Sequence, residues 1–165
     1  MNNDICLKVS GGTFNYRVGA IIQHDSKLLM VKNSGDTFYY TIGGRVKFGE
    51  AAQDTILREA LEETGLPLEI ERLAFIHENF FAFNPESEPC HEVCLFFLMK
   101  PHEKLVEIRQ TFEEAYGEVS IHWLPIDNLD KYEVYPEFFR TALTSHQANV
   151  RHFVTRNDIT SEVTN

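Results

Sequence analysis

The hydrophobic positions of the chain change their period several times, and each change marks an element. From Phe14 to Ile22 aromatic and β-branched residues crowd together, the composition of a strand. Gln23-His24-Asp25-Ser26 reads as a turn, and Lys27 to Val31 returns as a second strand. Asn33 to Asp36 is a loop by composition, and Thr37 to Ile42 is a short strand that ends in the turn Gly43-Gly44. After Phe48-Gly49-Glu50 the period becomes helical and stops at Gly65, with Pro67 two residues on. On that helix Ile56, Leu57, Ala60 and Leu61 form the face expected to meet a core. Leu68 to Phe83 is again strand-like, and Asn84 to Pro89 is a polar, proline-bounded loop. His91 to Met99 is a strongly apolar strand, suited to the middle of a sheet. Pro101 to Tyr116 is charged and fits no single period. Glu118 to Leu124 reads as a strand, and Pro136 to His146 as a helix with proline in its first turn. From Asn149 on the chain is polar, either a strand fragment or unstructured. Strands, one helix, strands and one helix give an α+β fold.

Length and charge narrow the picture. The 165 residues make one domain's worth of chain. A single domain over 1–165 is expected, with its core at about 13–147 and a tail at about 149–165. No apolar run approaches the ~20 residues that span a bilayer, and Met1 to Gly12 lacks a signal pattern. A soluble cytoplasmic protein with no membrane partner is the expectation. The net charge of −10 opposes generic nucleic-acid binding, because phosphate-backbone affinity rests on Lys and Arg. It does not oppose a nucleotide substrate, since a bound cation inverts the local charge. Cys6, Cys90 and Cys94 form no disulfide framework. Cys90-His91-x-x-Cys94 lacks a second ligand pair and lies on a strand pattern, so zinc is not expected there. His24, His77 and His122 read as structural or exposed.

The chemistry concentrates on the first helix. At about 100° per residue, Glu59, Glu62 and Glu63 fall on one arc roughly 100° wide, at the edge of the buried face. Like charges at these spacings cost about 0.2–0.5 kcal/mol per pair in an isolated helix. Arg58 offsets part of this from its i, i+4 position to Glu62. A hard divalent cation such as Mg²⁺, with Mn²⁺ as a substitute, would relieve the rest, since it takes oxygen ligands and substrate phosphates.

The residues around these carboxylates carry a longer pattern. Gly44, Glu50, Arg58-Glu59, Ala60, Glu62-Glu63, Gly65 and Leu66 stand at the spacing of the Nudix box, and the chain resembles the Nudix hydrolases on every fixed position of it. Ala60 is smaller than the usual branched aliphatic, and Ile42-Gly43-Gly44 replaces the common Pro-Gly-Gly. The resemblance spans roughly 13–147 and implies a mixed β-sheet packed between helices, an α/β/α sandwich. It implies a metal-dependent hydrolase that cleaves the diphosphate of a nucleoside diphosphate linked to another moiety. It implies that Glu59, Glu62 and Glu63, with the Gly44 carbonyl, hold the metal, while Arg58 orients a glutamate and Glu50 is a weaker candidate for the inner shell. Glu113, Glu114 and Glu118 lie where members of the family recruit a general base.

Substrate recognition is less marked. Phe38, Tyr39 and Tyr40 before the box, and Phe81, Phe83 and Trp123 after it, are aromatic candidates for stacking a base. Phe38, Tyr40 and Phe81 are the first choices. Nucleoside triphosphates, sugar nucleotides and other small nucleotide derivatives all fit, and a homodimer is one possible assembly. The rival reading is a non-catalytic nucleotide-sensing domain, which would tolerate losing the carboxylates that this chain keeps. A prenyl-diphosphate isomerase lacks its cysteine here, and an RNA-decapping enzyme would need a basic track.

Overall fold

The computed structural model describes residues 3–82, 84, 86–108, 110–114, 117–144 and 148–157. Among the described residues ten strands arrange into two sheets. In chain order they are β1 (Cys6–Val9), β2 (Gly12–Ile21), β3 (Gln23–His24), β4 (Lys27–Asn33) and β5 (Gly43–Arg45), then helix α1 (Ala52–Thr64), β6 (Ile70–Phe81), β7 (Cys90–Met99), β8 (Thr111–Glu114) and β9 (Gly117–Pro125). A short helix α2 (Phe139–Ala142) and a last strand β10 (Arg151–Arg156) follow. The larger sheet runs β1-β2-β7-β6-β10, with β5 also pairing to β2; the smaller runs β3-β4-β9-β8. The β2–β7 and β6–β10 pairs are parallel and the other named strand pairs antiparallel. This is a mixed-sheet α+β fold.

The chain turns back where expected, but β2 belongs to the other sheet and the hairpin is β3 with β4: Gln23 and His24, expected in the turn, pair with Leu28 and Lys27. Asp25 and Ser26 turn it with φ of 47° and 59°, two positive values in succession that match the twist of the flanking strands. The long strands then alternate between two cores. Val18, Ala20, Leu29 and Val31 project toward α1, where they meet Ile42, Val46, Ile56 and Ala60. Ile21, Leu28 and Met30 project the other way, onto Phe75, Phe96, Leu124 and Phe139. Each fully buried aliphatic of this kind contributes on the order of 1.5–3 kcal/mol. Helix α1 closes one side against β2 and β5, and α2 lies on the other.

Several expectations are corrected. Leu57 and Leu61 are 36% and 47% exposed, while Thr55, Glu63 and Thr64 are buried. The inward stripe of α1 is therefore Thr55-Ile56-Ala60-Glu63-Thr64, turned so that Glu63 goes inward with Ile56 and Ala60. Among the described residues the 37–42 stretch forms no strand of its own: it has isolated bridges of Val31 with Tyr40 and Tyr39 with Val134, and Ile42 O accepts from Ala20 N–H at 2.8 Å. The ambiguous charged stretch divides into a 3-10 turn at Glu103–Glu107 that buries Leu105, and β8, which buries Phe112. Helix α2 is much shorter than the pattern from Pro136 suggested. Its first bonds reach back three residues, from Phe139 N–H to Pro136 O and from Arg140 N–H to Glu137 O, both 3.2 Å. That tighter winding carries Phe138 and Phe139 side by side onto Phe75 and Phe96. His146 lies outside the described residues. The polar tail resolves into β10, whose Phe153 stacks on Phe138 at 3.9 Å between ring centres.

Candidate active site

Helix α1 starts late and ends on cue. Before it, Glu50 N–H closes a turn onto Lys47 O at 2.9 Å, with Gly49 at φ 86°. At its end Gly65 adopts φ 77° and donates to Leu61 O at 2.9 Å, the left-handed stop that glycine takes without strain. Between these limits Arg58 organises the carboxylates. Its Nε and Nη2 donate to the two oxygens of Glu50 at 3.0 and 3.1 Å. Its Nη1 donates to Glu59 Oε1 at 2.8 Å and to Glu62 Oε2 at 3.4 Å. The two-pronged contact, with Thr55 Oγ1 donating to Glu50 at 2.9 Å, holds the Glu50 carboxyl down at about 2. The same hydrogen bond raises the Arg58 pKa. Glu50 is thus committed to Arg58, a positioning part of the box.

The three remaining carboxylates differ in setting. Glu62 is largely exposed and only loosely held. Glu59 is mostly covered and backs onto Gly44, where a Cβ would stand 2.4 Å from Glu59 Oε1. Glu63 is buried and accepts a hydrogen bond from Gly43 N–H at 3.3 Å. Gly43 sits at φ 154°, and a Cβ there would strike Val18 O at 2.1 Å. The glycine turn and the helix are therefore fitted to each other, and glycine is required at both positions.

The other candidates are spread out. Phe38 packs edge-on against Tyr135 at 5.4 Å. Tyr40 lies three residues before Gly43, partly buried against the α1-side core. Tyr39 faces the other way, edge-on to His122 and Tyr132. Phe81 pairs with Cys90 at the far end of β6. Strand spacings put it about 20 Å from the glycine turn, so the structure does not bring it to the carboxylates. Trp123 is a half-buried core residue near His24. Phe83 lies outside the described residues, as do the side chains of Glu113 and Glu114. Glu118 is exposed at the start of β9, beside Ser34. Cys90 and Cys94 face one side of β7, and His91 faces the other, stacked on Phe80 at 4.2 Å. Burial pushes both thiols upward. His77 is buried and held down at about 4 by that burial. Among the described residues no three His, Cys, Asp or Glu side chains converge as a metal-ligand cluster while Arg58 holds Glu59 and Glu62. The sequence reading passed over Phe48, 86% exposed on the turn before α1, and the pair Arg17 and Arg45. Nothing in their spacing distinguishes them; only strand pairing sets the two arginines side by side.

A mixed-sheet α+β fold with a glycine turn backed by an arginine-braced acidic helix is the architecture of the Nudix fold. The chain belongs to the Nudix family: a NUDIX domain model matches residues 13–142. An ADP-ribose pyrophosphatase of Methanocaldococcus jannaschii is 29% identical over 86 residues, 50% of this chain and 48% of that protein. The match thus spans about half the length of that curated relative. Among solved structures, the mMutator MutT protein from Bacillus halodurans superposes with a TM-score of 0.67 at 19% identity, covering 88% of this chain and 92% of that one. An ADP-ribose pyrophosphatase from Streptococcus suis 89-1591 gives 0.53 at 19% identity, covering 84% and 98%. At such identities the likeness is one of fold. Among the described residues no helix is long and apolar enough to cross a membrane.

Proposed function

We propose that this chain is a metal-dependent hydrolase that cleaves the diphosphate linkage of a nucleoside diphosphate joined to another moiety. The observation that carries it is the fit of Glu59 and Glu63 around Gly43-Gly44, with Arg58 bracing the helix carboxylates. The family match and the ADP-ribose pyrophosphatase relative support the same chemistry.

The donor set suits Mg²⁺, with Mn²⁺ as substitute: carboxylate oxygens and a backbone carbonyl, with no soft ligand among them. The Gly44 cradle is empty of a Cβ that would push Glu59 aside. Glu59, Glu62, Glu63 and the Gly44 carbonyl would hold the ion. When bound, it supplies charge neutralisation for the diphosphate and acidifies water. The chain's own residues do the rest. Arg58 holds Glu59 in place, Glu50 fixes Arg58, and Gly43 N–H fixes Glu63. Positioning and electrostatics of this kind supply most of the catalysis in phosphoryl transfer. Three free thiols and a small nucleotide substrate suit a reducing cytoplasm.

A hydrolysis screen tests the reading. ADP-ribose, other sugar nucleotides, dinucleoside polyphosphates and nucleoside triphosphates are incubated with the protein and Mg²⁺ or Mn²⁺, and released nucleotide is measured. Metal-dependent turnover of at least one class is expected. A folded protein that turns over none of them sinks the proposal.

A further inference from the structure

The face of the larger sheet turned away from α1 carries a polar patch on β2, β5 and β7. In the parallel β2–β7 pair Asn15 stands beside Glu92, Arg17 beside Cys94 and Gly19 beside Phe96. Across the antiparallel β2–β5 pair Arg45 stands opposite Arg17. Residues directly opposite on paired strands project to one side. Arg17, Arg45, Asn15 and Glu92 therefore share a face.

Two guanidiniums opposite each other destabilise a sheet, and little here offsets them. Arg45 Nε donates to Asn15 Oδ1 at 3.3 Å. Arg17 Nε stands 3.9 Å from Glu92 Oε2. Among the described residues neither has the two-pronged carboxylate that Arg58 has. Glu92 is thus shared between the pull of both arginines, in a chain of net charge −10. The patch is also held in place by partly buried side chains. Asn15 is 6% exposed, and its Nδ2 donates to Cys90 Sγ at 3.1 Å, which fixes the carbonyl oxygen toward Arg45. Glu92 is largely covered, and burial raises its carboxyl pKa against the pull of Arg17 and Arg45. Among the described residues Arg45 makes that one hydrogen bond to Asn15 and Arg17 none, of the five donors each guanidinium carries.

Position gives the patch a use. Arg45 directly follows Gly44, about 3.8 Å away between Cα atoms, and alternation sends its side chain to the opposite face from the Glu59 contact. No second strand pairs with β5 among the described residues, so a ligand at the glycine turn can reach round that edge.

We propose that Arg17 and Arg45 form an anion subsite that takes a phosphate group of the substrate, with Glu92 as the counter-ion that the phosphate replaces. Resting on the hydrolase reading above, this gives the chain a preference for substrates with a phosphate beyond the scissile link over those whose second moiety is uncharged.

Inorganic tripolyphosphate in EDTA, measured by titration calorimetry, probes the arginines without metal at the carboxylates. The wild-type protein should bind it. Arg17→Gln and Arg45→Gln should each weaken binding tenfold or more, and Glu92→Gln should tighten it at least threefold, with melting curves confirming folded protein. If a glutamine variant does not fold, Arg45→Lys decides: it keeps the charge but loses the fork, and at least threefold weaker binding is expected. No binding by the wild type, unchanged binding in the arginine variants, or weaker binding in Glu92→Gln overturns the subsite. Turnover with Mg²⁺ is measured separately, so loss of the hydrolase reading shows as absent turnover beside intact tripolyphosphate binding.

Discussion

Gly44→Ala isolates the contact between the glycine turn and Glu59. Gly44 has no positive φ, so alanine meets no backbone strain there. Its Cβ would lie 2.4 Å from Glu59 Oε1 and 2.6 Å from Glu59 Cδ, where ordinary contact begins at 3.4 Å. The carboxylate must retreat by about 1 Å, a displacement that can cost on the order of 100-fold in rate at a catalytic centre. The retreat also pulls Glu59 from Arg58, now 2.8 Å away. One such partly exposed bond is worth about 1 kcal/mol, so Tm should fall by only about 2–4 °C in a domain of this size. Steady-state hydrolysis of the best substrate from the screen, alongside a melting curve, measures both. The expected result is kcat/KM down about 100-fold with Tm nearly held. Activity within about threefold of wild type would refute the placement of Glu59 at the reacting centre. Gly43→Ala serves as the contrast: its Cβ strikes the Val18 carbonyl, which cannot move alone, and the variant should lose stability before it loses chemistry.

Glu62→Gln and Glu63→Gln should each cut turnover by about 100-fold or more. Glu63→Gln should also lower Tm, because Glu63 is buried on Gly43 N–H whereas Glu62 is exposed; equal melting curves for the two would contradict that asymmetry. Glu50 has its carboxyl lowered from 4.5 to about 2. Its stabilising share is therefore complete above pH 4.5 and lost as pH falls toward 2, so the melting curves of wild type and Glu50→Gln should converge across that window. His77 is depressed from 6.5 to about 4. The unfolded chain takes up this proton first, so stability should decline from pH 6.5 to 4, and an NMR titration should place the His77 midpoint near 4; a midpoint near 6.5 would show the ring to be solvated.

The box was legible because its spacing is a covalent fact, and so was the stop at Gly65, since only glycine takes that conformation cheaply. The rotation of α1 was not. Leu57 and Leu61 look as apolar as Ile56, and only packing against β2 and β5 shows that Glu63 turns inward. The true extent of α2 was hidden for a related reason: aromatic packing of Phe138 and Phe139 overrode a helical pattern running on from Pro136. Among the described residues of the 101–116 stretch Leu105, Ile108 and Phe112 are buried, divided between a 3-10 turn, the residue after it and a strand, so no single period runs through them. Arg17 and Arg45 lie 28 positions apart in the chain and are neighbours only through sheet register, a non-local fact that no short window contains.

Strand β10 begins nine residues beyond the end of the matched NUDIX domain at residue 142, yet it occupies the rim of the larger sheet. It occupies the amide and carbonyl row of β6 from Phe75 to Phe80 and presents Arg151, His152 and Arg156 at the margin, charges that discourage a further chain from zipping on. A fragment trimmed to the domain match would carry that row bare beside Phe75 and Phe138, and self-association would compete with proper folding. Strand β10 is in that sense this protein's guard against aggregation.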